Sequence, residues 1–306
     1  MTRAAGIDCG TNTIRLLVAD LDPATGAETE LVREMRVVRL GQDVDRTGRL
    51  ADGALQRVFA AVEEYARVIE QHGAEAVRFC ATSAARDAEN ADTFRDGIRE
   101  RLGVEAEVVT GAQEAALTYD GATRSLGPEV AAPLLVVDIG GGSTELVLGN
   151  GHGKVQAAQS LDIGSVRMTE RRMPSDPPTG AEVAAATADV DAALGGCRVP
   201  VGQAATVVGV AGTVTTVAAM VLDLPGYQRE RVHHAVLPVE DVHRGTADLL
   251  AMTVDRRRAL PFMHPGRADV IGGGALILDR VLRRTGVGSL LVSETDILDG
   301  ITWSVA

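Results

Sequence analysis

Two short glycine-rich segments hold the residues of this chain best suited to chemistry. The first reads Asp8-Cys9-Gly10-Thr11-Asn12-Thr13 and the second Asp138-Ile139-Gly140-Gly141-Gly142-Ser143-Thr144-Glu145. Small residues let several backbone N–H groups approach a phosphate without side-chain obstruction. Thr11, Asn12, Thr13, Ser143 and Thr144 add hydroxyl or amide donors. Gly140-Gly141-Gly142 is longer and more flexible than a hairpin needs, since two residues suffice; a bulged turn is the alternative. Asp138 and Glu145 flank the second segment, and Asp8 ends the strand before the first. Oxygen ligands of this kind favour Mg²⁺, or Mn²⁺, with water and substrate phosphate completing the shell. A lone Asp at a turn more often bonds its own backbone, but equivalent Asp residues in paired segments favour the metal reading.

Other candidates carry two readings each. Glu114, in Thr110-Gly111-Ala112-Gln113-Glu114, lies in the first turn of an expected helix, where a carboxylate can simply complement the helix dipole or cap it; spacing alone ranks that first. Arg86, in Ala81-Thr82-Ser83-Ala84-Ala85-Arg86, follows a strand and a small-residue turn, and its fork suits a phosphate oxygen or a surface pair with Asp87 or Glu89. Gly209-Val210-Ala211-Gly212-Thr213 and Ile271-Gly272-Gly273-Gly274-Ala275 are further glycine turns, the second equally suited to close helix packing. The histidines at 72, 152, 233, 234, 243 and 264 show no zinc spacing, and His233-His234 reads as a loop or strand pair. The sequence holds no G-x-S-x-G elbow, Walker lysine loop or G-x-G-x-x-G after the first strand, which counts against serine hydrolases, P-loop enzymes and dinucleotide enzymes.

The elements that must position these residues follow from apolar patterning. Strands are expected over Ala4–Ile7, Ile14–Ala19 and Glu30–Arg39, forming a meander. Leu55, Val58, Phe59, Val62, Tyr65, Ala66 and Ile69 recur at helical spacing within Ala51–His72. Strand Ala76–Ala81, helix Ala88–Leu102, strand Glu105–Val109 and helix Gln113–Ala122 come next, which indicates a mixed sheet covered by helices. Ser125–Pro133 marks a boundary, and beyond it the opening pattern returns: Asp8, Gly10 and Thr13 stand at the offsets of Asp138, Gly140 and Ser143, each set followed by an apolar strand. Such a repeat implies two related lobes with equivalent loops and a ligand cleft between them. We set the N-terminal lobe at 1–125, with a C-terminal helix of about 294–306 allowed to join it, and the C-terminal lobe at 126–306.

Composition bounds the rest. The chain has 306 residues, 45% of them hydrophobic and 3% aromatic, so its cores are built from Ala, Val and Leu. Cys9, Cys80 and Cys197 form no C-x-x-C pair, and the N-terminus runs through Arg3 straight into a strand without a signal-sequence pattern, so a cytoplasmic protein is expected. The uncharged stretch Ala204–Leu222 is long enough to consider as a membrane span, but its Gly209, Gly212 and threonines fit a buried strand, turn and helix better. A net charge of −12 disfavours nucleic acid and anionic membranes as partners. A polyanionic substrate then needs a locally positive site or a bridging divalent cation.

Taken in order, Asp8-x-Gly10-Thr11-Asn12-Thr13, Ala81-Thr82-Ser83-Ala84-Ala85-Arg86-x-Ala88-x-Asn90, Gly111-x-Gln113-Glu114-Ala115, Asp138 to Glu145 and Arg267-Ala268-Asp269 resemble the signature blocks of the exopolyphosphatase and guanosine pentaphosphate phosphatase family. The resemblance covers nearly the whole chain. It implies an α/β fold of two ribonuclease H-like lobes, of the actin, sugar-kinase and acetate-kinase type, with mixed sheets flanked by helices. It implies further that Glu114 is the glutamate that activates water, that Arg86 lies near the scissile phosphate, and that Asp138 and Glu145 surround the metal. Gly212, Thr213 and Arg267 join Gly10, Thr11, Asn12, Thr13, Gly140, Gly141, Gly142, Ser143 and Thr144 as phosphate-binding residues, and Asp8 joins the metal set. Gln113 stands where a second glutamate is common, Thr11 and Thr13 where a serine loop is usual, and Cys9 where an aliphatic residue is usual. The chain resembles short members without extra C-terminal helical domains, so short inorganic polyphosphates are the favoured substrate.

Guanosine pentaphosphate is the alternative substrate, although 3% aromatics leaves few stacking platforms for guanine. A nucleotide-dependent small-molecule kinase would need an adenosine pocket, for which Ile271–Ala275 is the candidate. A non-catalytic polyphosphate sensor would bind the chain and release nothing. A homodimer is expected by resemblance.

Overall fold

A computed structural model describes residues 1–151 and 153–306, so His152 lies outside the described residues. The chain divides into two compact units, Met1–Gly121 with Ile297–Ala306, and Ala122–Asp296.

The first unit opens with the expected meander, β1 (Thr2–Cys9), β2 (Thr13–Asp22) and β3 (Ala27–Val37). It continues through α1 (Val44–Thr47), α2 (Asp52–His72), β4 (Ala76–Ala81), α3 (Ser83–Arg86), α4 (Ala91–Leu102), β5 (Ala106–Val108) and α5 (Gly111–Arg124), the division between units falling within α5. Its sheet has the order β3-β2-β1-β4-β5, with β1 antiparallel to β2 and parallel to β4. As a central strand covered on both faces, β1 is a continuous buried run from Ala4 to Cys9 rather than an alternating one. Along α2 the buried residues Leu55, Val58, Val62, Tyr65 and Ile69 form the stripe that the spacing predicts, and Gly73, at φ 65°, ends the helix in the left-handed conformation that a C-terminal cap needs.

The helix expected from Ala88 begins at Ala91 instead. Asn90 is the reason: its side chain accepts from the Leu50 N–H at 2.8 Å and donates to the Leu50 C=O at 3.0 Å. An amide that satisfies both backbone groups of a distant residue acts as a one-residue strand pairing and holds the chain out of the helix.

The second unit repeats the scheme with β6 (Leu134–Ile139), β7 (Thr144–Gly149) and β8 (Val155–Leu161), then α6 (Ser165–Arg172) and α7 (Gly180–Gly195). Next come β9 (Thr206–Val210), α8 (Ala211–Val221), α9 (Arg229–Val232), β10 (Val236–Pro238), α10 (Val239–Ala251), α11 (Val254–Arg258), α12 (Ile271–Leu282) and β11 (Ser289–Val292). Here β6 is antiparallel to β7 and parallel to β9, as β1 is to β2 and β4, in a sheet of order β10-β11-β9-β6-β7-β8. The uncharged stretch resolves into β9 and α8, and among the described residues no helix is long and apolar enough to cross a membrane.

A final helix, α13 (Ile297–Trp303), belongs to the first unit and packs on β1, β2 and β4. Every residue in it is buried. Two glycines permit that approach: a Cβ on Gly6 would stand 2.2 Å from Thr302 Oγ1, and one on Gly300 would stand 2.0 Å from the Leu117 carbonyl oxygen. Arg33 pairs with the buried Asp299 at 2.5 Å, and the Trp303 indole N–H donates to Glu28 at 2.7 Å. Gly300→Ala forces a backbone shift in α5 or α13, with an expected loss of about 1–3 kcal/mol or more; denaturant unfolding with an unchanged midpoint would contradict this packing.

Candidate active site

In each unit the antiparallel hairpin closes in the same way. The Gly10 N–H donates to the Thr13 C=O at 2.9 Å, and the Gly140 N–H donates to the Ser143 C=O at 3.0 Å. The carbonyls inside both turns are then tied back. In the first unit Val38 and Arg39 N–H groups bond the Asn12 C=O at 3.0 and 2.9 Å, and the Gly41 N–H bonds the Thr11 C=O at 2.8 Å. In the second the Ser165 N–H bonds the Gly140 C=O at 2.9 Å, Val166 and Arg167 N–H groups bond the Gly141 C=O at 2.9 and 3.1 Å, and Arg167 Nε bonds the Gly142 C=O at 2.7 Å. In a planar trans peptide the N–H points opposite to its C=O, so anchoring the carbonyls turns the amides of each turn away from the anchor.

Each anchor depends on a glycine that sequence reasoning missed. A Cβ on Gly41 would meet Thr11 Cγ2 at 2.3 Å, and one on Gly164 would meet the Gly141 oxygen at 2.4 Å and the Gly142 nitrogen at 2.6 Å. The available signal is positional: both glycines follow the third strand of their meander.

Around the first turn, Thr11 Oγ1 and Ser83 Oγ share a hydrogen bond of 2.9 Å, which joins the turn to the start of α3. Arg86 ends α3 and donates through one NH group to the Val109 C=O at 3.0 Å and to Glu114 Oε2 at 3.1 Å. Glu114 is 6% exposed and is not the cap of α5. That duty falls to Gln113, whose side chain accepts from the Thr110 N–H at 2.9 Å while Thr110 Oγ1 accepts from the Gln113 N–H at 3.3 Å, a reciprocal capping box. The structure therefore brings Glu114 and Arg86 together, next to a turn with Thr11, Asn12 and Thr13.

The positions opposite the two equivalent aspartates differ. Asp8 faces Arg15 across β1 and β2, in an ion pair of 2.6 Å. Asp138 faces Glu145 across β6 and β7, both buried, with Glu145 Oε1 accepting from Ser160 at 2.7 Å. The two facing carboxylates Asp138 and Glu145 are oxygen donors of the kind that could hold Mg²⁺ or Mn²⁺. Among the described residues no group of three or more His, Cys, Asp or Glu side chains is arranged around a metal position.

Of the remaining candidates, Ser143 is buried in the second turn, and Thr144 lies within β7 with its hydroxyl donated to the Ile163 C=O at 2.6 Å. Gly212 and Thr213 form the first turn of α8, after Ala211, which takes φ 64° despite its Cβ. A left-handed non-glycine residue at a strand-to-helix junction is backbone strain of the sort concentrated at functional turns. The Arg267 guanidinium packs against this turn: a Cβ on Gly212 would meet its Cζ at 2.3 Å. Ile271–Ala275 opens α12, and all of it is buried. Cβ atoms on Gly273 and Gly274 would fall 2.8 Å from the Ser165 oxygen and 2.5 Å from Thr213 Oγ1. These glycines serve close helix packing. His233 accepts from the Glu294 N–H at 3.1 Å and stacks on His234, a loop arrangement rather than a ligand set.

The sequence signature of the Ppx/GppA phosphatase family matches residues 18–305. Exopolyphosphatase 2 of Mycobacterium tuberculosis is 47% identical over 319 aligned residues, which cover 100% of this chain and 99% of that protein. The chain belongs to the Ppx/GppA phosphatase family. A crystal structure of an exopolyphosphatase-like protein matches with a TM-score of 0.93 at 46% identity, covering 98% of this chain and 97% of that one. The Ppx/GppA family member from Aquifex aeolicus matches with a TM-score of 0.83 at 32% identity, covering 99% and 97%. Two mixed sheets flanked by helices are the Ppx/GppA form of the actin-like two-lobe fold that the sequence leads one to expect.

Replacing Gly164 by Ala pushes the Gly140–Ser143 turn off its anchor, so amide hydrogen exchange at 141–143 accelerates and stability falls by about 1–3 kcal/mol. Gly180→Ala, at a helix start with open space around it, leaves both unchanged; equal behaviour of the two variants would refute the anchoring role.

Proposed function

We propose that this chain is an exopolyphosphatase that hydrolyses the terminal phosphoanhydride of inorganic polyphosphate, short chains being favoured. The Arg86–Glu114 pair carries the reading of the chemistry: Gln113 relieves Glu114 of capping, so a buried carboxylate is held by a guanidinium beside a turn built for phosphate. The relation to a protein named exopolyphosphatase along its whole length supports the choice of substrate.

In this reading Glu114 takes a proton from a water molecule as the water oxygen bonds to the terminal phosphorus. The phosphorus bond to the bridging oxygen breaks, and the chain leaves one phosphate shorter with that oxygen, while orthophosphate departs. Arg86 keeps the Glu114 carboxylate oriented and offers its remaining edge to the transferred group. The anchored amides of the Gly140–Ser143 turn, the Gly212–Thr213 turn and Arg267 bind phosphate oxygens of the chain, as hydrogen-bond donors fixed before the substrate arrives. Asp138 and Glu145 are the residues that would hold Mg²⁺ or Mn²⁺, and the ion when bound neutralises charge on the phosphate oxygens in a chain whose own charge is −12. Asp8, held by Arg15 at the equivalent place beside the first turn, would be the further carboxylate of the metal set.

The test is phosphate release from tripolyphosphate, long-chain polyphosphate, guanosine pentaphosphate and ATP, each with Mg²⁺ or with a chelator. Metal-dependent release from tripolyphosphate is expected, lost with chelator. Glu114→Gln keeps the melting curve and lowers kcat by about 10²–10⁴-fold, the contribution of a positioned general base. A folded protein that releases phosphate from none of the four, or a Glu114→Gln variant of near-normal rate, would sink the assignment.

A further inference from the structure

In the second unit a cavity of about 420 Å³ opens at the C-terminal ends of α7 and α12. Leu194, Val199, Val201 and Val281 give it apolar walls, and Cys197 and Arg284 complete the lining. The volume falls in the range of small-molecule sites, which pair apolar walls with a few placed polar groups. The opposite end of α12 packs its glycines on Ser165 and Thr213. Twelve residues of helix, about 18 Å, separate the two ends.

Arg284 is the charged residue of the lining, and it belongs to a set of ion pairs at the C-terminal ends of α7 and α12 in which arginines outnumber carboxylates. Asp191 accepts from both Arg280, at 3.0 and 2.8 Å, and Arg284, at 3.3 Å. Asp279 accepts from Arg283 at 2.8 and 3.1 Å and lies 2.6 Å from His243 Nδ1. Three guanidiniums thus share two carboxylates, within a protein of net charge −12. Arg284 reaches the cavity with a side chain about one-third exposed, and one of its amino groups is spent on the Asp191 C=O at 2.9 Å and Oδ1 at 3.3 Å.

We propose that this cavity binds a small amphipathic carboxylate, with its chain against the apolar walls and its head on Arg284. The occupant needs both parts, since apolar walls alone would not select an anion and a lone guanidinium would not select a chain.

The cysteines supply the readout. Cys197 is partly accessible and lines the cavity, whereas Cys9 and Cys80 are fully buried, out of reach of a reagent in the folded protein, and burial pushes both thiols up. Alkylation of the intact chain by iodoacetamide, followed residue by residue with mass spectrometry, therefore reports on the cavity, and unreacted Cys9 and Cys80 certify the fold. Octanoate is the probe. Its protection of Cys197 should grow as 1 + [L]/Kd, about fivefold at about four times Kd. Octylammonium and inorganic phosphate, each lacking one part of the proposed ligand, should give none. Arg284→Met should raise the octanoate requirement about tenfold or more, near the value of a charge-assisted hydrogen bond. Gly202→Phe, at an exposed lining position with room for a side chain, should fill the cavity and abolish protection. A Cys197 rate indifferent to octanoate, or equal protection by octylammonium, would overturn the proposal.

Discussion

A backbone carbonyl that is already bonded cannot turn back toward the solvent, and its neighbouring amide is committed with it. That constraint, applied at two hairpin turns, is what the rest of each unit serves. The segment after β3 supplies three N–H groups to the Gly10–Thr13 turn, and the start of α6 supplies the equivalent set to the Gly140–Ser143 turn. Gly41 and Gly164 stand where any side chain would separate anchor from turn. The meanders hold the anchors, and the parallel strands behind them hold the meanders. A buried turn of this type would otherwise carry polar groups with nothing to bond.

Equivalent frames have then been specialised by single positions. Arg15 and Glu145 occupy the same place opposite the two repeated aspartates. One choice produces an ion pair across the hairpin; the other sets two carboxylates opposite each other. Gln113 and Glu114 divide labour in the same manner along one helix. The amide takes the backbone groups at the helix start, and the carboxylate one residue on is turned to Arg86.

The sequence carried some of this openly. Strand Ala76–Ala81 has the bounds that its pattern indicates, α2 begins one residue from its expected start, and the repeat of Asp8, Gly10 and Thr13 in Asp138, Gly140 and Ser143 corresponds to hairpins with the same closing bond. These features depend on local periodicity and spacing. What stayed hidden depends on partners far away in the chain. Asn90 delays a helix because of Leu50, and Thr144, whose type suggests a phosphate donor, spends its hydroxyl on Ile163. The role of Glu114 was ambiguous for the same reason: a carboxylate in a first helical turn looks like a cap until Thr110 is seen to bond Gln113 instead. Gly272–Gly274 resembles a ligand loop in one dimension and is a helix seam in three.

The two turns differ in what they are made of, and this affects how their roles can be found out. Between its closing residues the first holds Thr11 and Asn12, whereas the second holds Gly141 and Gly142. A surface that consists of peptide groups has no side chain to delete, so scanning by alanine adds atoms there instead of removing them and perturbs shape rather than chemistry. Atom-for-atom exchange of the main chain, such as replacing a single amide by an ester, is the operation that removes one donor from the second turn and leaves everything else in place.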